Sequence, residues 1–202
     1  MNRIEKAVNY ALNTLEQHLP ERFLYHSLHH TCNVIKYSGV FAQKRGLCKN
    51  EQEIIRVAAA FHDIGYVKNE CEHEHESAVI AQNVLPEFGF NANEIDEIGK
   101  LILATKLPCN PQTNAQKILC DADVEYVGRS EFYRLIALFR QELLLGGYAM
   151  SEVQWLEFEV KYLENFRFFT PVAGRLRSAG LKRHLNEMRH SLEVIRNSAE
   201  EV

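Results

Sequence analysis

Apolar residues recur along this chain at intervals of three and four, the spacing that lines one face of an α-helix. Ile4, Ala7, Val8, Ala11, Leu12 and Leu15 form a first stripe, which Pro20 ends. A second stripe, His30, Val34, Tyr37 and Phe41, opens after Ser27, a residue suited to capping a helix, and closes near Gly46. The pattern predicts a third helix from about Asn50 to Asp63 and a fourth from Ser77 to Leu85, followed by Pro86. Further helices are expected near 92–105, 115–127, 130–145, 151–167 and 173–197. Alternating β-branched runs are missing, and Gly and Pro sit at helix ends. The fold class predicted is therefore all-α. Residues 106–114, "KLPCNPQTN", make the clearest irregular segment, and neither internal repeats nor low-complexity tracts interrupt the chain. One domain over 1–202 is expected, with the last third, from Ser130, as a helical layer packed on the rest.

Composition narrows the class without naming a function. With 202 residues, 46% hydrophobic and 25% charged, the chain can bury one sizeable core. Its 23 Lys and Arg against 27 Asp and Glu give a formal charge of −4, which argues against a sequence-independent grip on nucleic acid or an anionic membrane. The N-terminal segment mixes charges into its helical pattern, unlike a secretory signal, and no stretch approaches the length of a membrane span. The five cysteines are odd in number and form no CxxC pair, so they read as reduced thiols of a cytoplasmic protein.

The direction of the ionisable residues changes the picture. At about 100° per residue, His30 lies within about 40° of Val34, Tyr37 and Phe41 and faces the core, as does His26 one turn earlier, whereas His29 is turned to solvent. His62 shares a face with Ile55, Ala58 and Phe61. Asp63 would project outward in a continuing helix, but Gly65 suggests that the helix stops and the carboxylate swings beside the imidazole. In "ILCDADVEYVG", 118–128, the apolar face is set by Ile118, Leu119, Ala122 and Tyr126; Asp123 falls on its flank and Asp121 points nearly opposite, toward backbone donors or solvent. Any one of these is more often a hydrogen-bonded core residue than a ligand. Two inward imidazoles with two carboxylates are harder to bury uncompensated, at a cost of several kcal/mol, and a divalent cation would satisfy them together. Mixed imidazole and carboxylate donors suit Mn, Fe, Co, Ni or Zn, and Mg more weakly.

A His, then an adjacent His-Asp, then a distant Asp is the signature of the HD superfamily of metal-dependent phosphohydrolases, and the chain resembles that superfamily at His30 (in "HHTCNV"), His62–Asp63 and Asp123. "YHSLHH", "HEHESA" (73–78), "LATK" (103–106) and "DADVEYVG" (121–128) are similar to a bacterial branch of it, and "WLEFEVKYLENFRFFTP" less specifically so. The resemblance covers about 22–130, leaving about 131–202 as a C-terminal helical extension. It implies a helical bundle around one divalent transition metal held by His30, His62, Asp63 and Asp123, and hydrolysis of a small phosphorylated substrate, a nucleotide by family analogy.

Within that reading Asp63 would both ligate the ion and orient a water. Many relatives place a further carboxylate shortly after the His-Asp pair; here the first acid is Glu70, seven residues on, and Glu74 is the other candidate for acid or base, or for holding a ligating imidazole. Lys106 and Arg129 are the cations nearest by sequence for a substrate phosphate, although either could be a solvated surface charge. His73 and His75 could serve a second metal, against an exposed polar loop over "ECEHEHE" as the plainer expectation. The alternatives to an enzyme are a non-catalytic nucleotide or metal sensor and a partner-binding module; oxygenation at iron is a third course, which would need ligands from His73 and His75. The sequence leaves substrate, native metal and oligomeric state open.

Overall fold

A computed structural model describes the backbone of residues 1–200 and the side chains of 1–198. Among the described residues there are nine α-helices and no strand: α1 (Arg3–His18), α2 (Leu28–Lys44), α3 (Lys49–Phe61), α4 (His73–Val84), α5 (Ala92–Leu103), α6 (Asn114–Asp123), α7 (Phe132–Leu145), α8 (Glu152–Asn165) and α9 (Pro171–Glu200). Short 3₁₀ turns follow α3, α4 and α6, at Ile64–Val67, Leu85–Phe88 and Glu125–Gly128. The all-α expectation holds. The chain forms two compact units, Met1–Val124 and Glu125–Val202.

In the first unit α2 packs on α3 and α6, α3 on α1 and α5, and α4 on α5. The centre is α3, whose run Val57 to Phe61 is wholly buried; small alanine faces let neighbouring helices approach from several sides. At the starts of α5 and α6, Asn91 and Thr113 accept from backbone N–H groups two to three residues on and close capping boxes with Glu94 and Gln116. Ser27 sits at the N-cap of α2, but its hydroxyl donates to the Tyr25 carbonyl instead, at 3.3 Å.

The second unit has its own core, in which Phe132 and Ile136 of α7, Trp155, Leu156, Val160 and Leu163 of α8, and Leu181, Met188 and Leu192 of α9 surround Val127. His184, buried in α9, donates from Nδ1 to the Val127 carbonyl (2.8 Å) and stacks on Phe132 at 4.4 Å. The buried Glu125 carboxylate is bound by Arg129 at 3.0 Å and Arg177 at 2.6 Å.

Candidate metal centre

The four ligand candidates stand at helix ends of the first unit. His30 lies in the first turn of α2, His62 caps the C-terminus of α3, and Asp123 is the last residue of α6. Asp63 leaves the helix (φ −106°, ψ 2°), which brings its carboxylate back to the imidazole it follows. Gly65 contributes by space and not by an unusual dihedral. A β-carbon there would lie 2.0 Å from the His73 carbonyl oxygen, so only glycine lets α4 close over the end of α3. Its N–H donates to Ser77 Oγ at 2.8 Å.

The side chains converge on one point. His30 Nε2 lies 3.0 Å from Asp123 Oδ1, 3.3 Å from His62 Nε2 and 3.4 Å from Asp63 Oδ2. His62 Nε2 lies 3.2 Å from Asp63 Oδ2 and 3.4 Å from Asp123 Oδ1. His62 Nδ1 is 2.8 Å from the Ala59 carbonyl, which can only accept; the proton is therefore on Nδ1, and in the neutral ring Nε2 carries the lone pair. All but Asp123, whose side chain is 21% exposed, are nearly sealed from solvent.

This arrangement fits a cation on its own evidence. Asp63 Oδ2 is buried with no hydrogen-bond partner, although two imidazole nitrogens stand beside it. Donor atoms bound at about 2.1 Å to one ion stand about 3.0–3.4 Å apart, which is the spacing of His30, His62 and Asp123 from one another and of Asp63 Oδ2 from both imidazoles. His30, His62 and Asp123 alone already form a set whose donor atoms lie within 4.8 Å of one another. Without an ion, protons must do its work. Burial disfavours the charged form of His62, but Asp63 and Asp123 outweigh it and hold the imidazole pKa well above its ordinary value. Burial likewise opposes ionisation of Asp63 and Asp123, and the facing imidazoles keep both carboxyls well below the usual range.

The other candidates divide. "HEHESA" is helical, not a loop: α4 begins at His73, buries Glu74 and leaves His75 exposed. His73 Nδ1 faces the Glu70 carbonyl at 3.3 Å, while its Nε2 lies 3.6 Å from Asp63 Oδ1 and 3.5 Å from Glu74 Oε1. His73 and Glu74 are thus beside the quartet, whereas His75 lines a groove of about 390 Å³ between α4 and α5. Glu70 is exposed and its carboxylate is taken by Arg22 at 2.9 Å. Lys106 is exposed and paired with Glu72 at 2.9 Å. Arg129 belongs to the second unit, held by Glu125 and Glu131. Asp121 is not turned to solvent, as the helical projection allowed; it is 1% exposed and outside the converging set.

Two neighbours escaped the sequence reading in part. Tyr66 stacks on His73 at 4.0 Å and 14°, and His26, half-buried, packs on Tyr66 at 4.7 Å. Tyr66 comes three residues after Asp63, and a buried aromatic just past a turn was the available signal.

Residues 27–126, which contain all four converging side chains, match the family model of the HD domain. The chain is an HD-domain protein. Two crystal structures are similar to it over nearly its whole length. One, described as a predicted HD superfamily hydrolase from an uncultured Thermotogales bacterium, has a TM-score of 0.60 at 19% identity and covers 99% of this chain and 93% of that one. The other, a protein of Lactobacillus plantarum, has a TM-score of 0.65 at 14% identity over 95% and 97%. At these identities the likeness concerns the fold. Among curated proteins no match is found. No helix among the described residues is long and apolar enough to cross a membrane.

Proposed function

We propose that this HD-domain protein is a metal-dependent phosphohydrolase that cleaves a phosphoester of a small molecule, with nucleotides as the substrate class and the cytoplasm as its setting. The observation that carries the reading is the buried quartet His30, His62, Asp63 and Asp123 around the unpartnered Asp63 Oδ2. A divalent ion at such a site supplies a Lewis acid for a phosphoryl oxygen and a water of lowered pKa. His62 is held for this by the Ala59 carbonyl, which leaves Nε2 to the ion. The nucleotide class rests on the family resemblance.

Asp63 spans two environments: Oδ2 faces His30 and His62, and Oδ1 faces His73. That makes His73 and Glu74 the pair placed to hold or move a proton beside the reacting ester, in preference to Glu70, whose carboxylate is engaged by Arg22. A second cation would draw on the same three groups, Asp63 Oδ1, His73 Nε2 and Glu74 Oε1, and not on His75. Lys106 would reach a substrate phosphate only by leaving Glu72, and Arg129 is committed to Glu125 and Glu131.

A panel of nucleotides and phosphomonoesters, assayed with Mn, Co, Ni and Mg, tests the proposal. Turnover that is lost in Asp63→Ala, with helix content retained, is the expected result. Tight nucleotide binding without turnover under every metal would replace the enzyme by a non-catalytic sensor.

A further inference from the structure

The α5–α6 connection brings two of the five cysteines together. Cys120, on α6, is 1% exposed and donates its thiol to the Ala104 carbonyl at 3.1 Å. Cys109, in the connection and partly exposed, donates to the next carbonyl, that of Thr105, at 3.2 Å. Two sulfurs anchored on consecutive carbonyls at the end of one helix are neighbours. The neighbouring Cys109 first, and burial second, push the Cys120 pKa up, so Cys120 stays a thiol and the more accessible Cys109 is where an oxidant enters.

We propose that Cys109 and Cys120 are a reversible oxidation site, closed to a disulfide by peroxide, that ties the α5–α6 connection to the helix carrying Asp123. The Cys109 sulfur attacks the peroxide O–O bond; an S–O bond forms and one water leaves. The Cys120 sulfur then attacks the sulfenic sulfur, the S–S bond forms, the S–O bond breaks, and a second water leaves with the Cys120 proton. Two thiols lose two protons and two electrons, and hydrogen peroxide becomes two waters. Cys120 precedes Asp123 by three residues, so the bridge closes one turn from a candidate ligand. Cys32, Cys48 and Cys71 are more exposed and serve as an internal comparison.

Trypsin separates the two thiols, because Lys106, Lys117 and Arg129 bound peptides 107–117 and 118–129. Reduced full-length protein is treated with hydrogen peroxide, alkylated and digested without reductant. The expected product is the linked pair of these peptides, lighter than their sum by two hydrogens, abolished by dithiothreitol and absent in Cys109→Ser. In Cys120→Ser a dimedone adduct should accumulate on Cys109. The oxidised wild type should also melt several degrees above the reduced form, with Cys109→Ser unmoved. Recovery of both cysteines alkylated while the exposed three are oxidised would overturn the proposal. So would linkage of Cys109 to Cys71, or an oxidised form that melts lower.

Discussion

Gly65 and His73 are packed so closely that a β-carbon on the glycine would stand 2.0 Å from the His73 carbonyl oxygen and 2.8 Å from the Ser77 nitrogen. Both obstacles are backbone atoms of α4, which cannot rotate away as a side chain would. Gly65→Ala must therefore lift α4 from the end of α3 and stretch the Gly65–Ser77 hydrogen bond. A destabilisation on the order of 3 kcal/mol is expected from such overpacking, read as a shift in the urea midpoint. Metal affinity should fall as well, because Asp63 lies two residues before the glycine. A variant that is as stable as wild type would show that α4 is not held by this contact.

Much of the site was legible because three of its helices are strongly periodic. His30 and His62 share faces with Val34 and Phe61, and burial of those apolar neighbours fixes the imidazole directions. Asp63 was legible only through Gly65, and for a different reason than the one inferred. The glycine marks a close approach, and the helix ends before it, with His62 as the cap and a 3₁₀ turn from Ile64. Periodicity failed at His73–Glu76, where one polar residue follows another; Glu74 and Ser77 are buried where α4 meets the 3₁₀ turn after α3, and local pattern carries no signal there. The partners of Glu70 and Lys106 were out of reach for the same reason. Arg22 and Glu72 lie 48 and 34 residues away along the chain, and pairing over such distances is a tertiary fact.

Removing metal should destabilise the first unit. An ion that binds only the folded state contributes about 2.7 kcal/mol at a hundredfold excess over Kd, so chelation should lower the melting temperature and re-addition restore it. His62→Ala should melt alike with and without chelator. The pH dependence has a definite sign. The raised His62 pKa gives the metal-free protein stability that is present below about 6.5 and lost as pH rises through the higher folded value. The depressed Asp63 and Asp123 values contribute stability above about 3.9 that is lost as pH falls through their folded values. A metal must displace the imidazole proton, so cobalt affinity should rise between pH 6 and pH 8, tenfold or more. A pH-independent affinity would separate His62 from the ion.

Asp121 and Asp123 should differ as ligands. Asp123 Oδ1 stands 3.0 Å from His30 and 3.4 Å from His62, and Asp121 is buried elsewhere on α6. Asp123→Asn should cost metal affinity tenfold or beyond, whereas Asp121→Asn should leave it within a few-fold. Because Asp121 is buried, its substitution should register mainly in thermal stability. Metal titration of both variants, alongside their melting curves, decides the assignment; equal losses of affinity would sink it.

Glu159 offers a prediction in the second unit. It is 2% exposed on α8, its Oε2 has no hydrogen-bond partner, and burial pushes its pKa up to about 7 from an ordinary 4.5. A raised carboxyl contributes stability that is fully present below its unfolded pKa and lost as pH rises through the folded one. Ionising Glu159 in place therefore costs on the order of 3 kcal/mol by the time the pH is well above 7. The second unit should accordingly melt lower at pH 8.5 than at pH 5.5. Glu159→Gln keeps the shape and removes the charge, so it should flatten this slope and stabilise the protein more at pH 8.5 than at pH 5.5. The measurement is denaturant unfolding of both proteins at the two values, followed by the fluorescence of Trp155, the one tryptophan, which is buried on the same helix. Parallel pH slopes for wild type and Glu159→Gln would mean that the carboxyl finds a partner or solvent when it ionises.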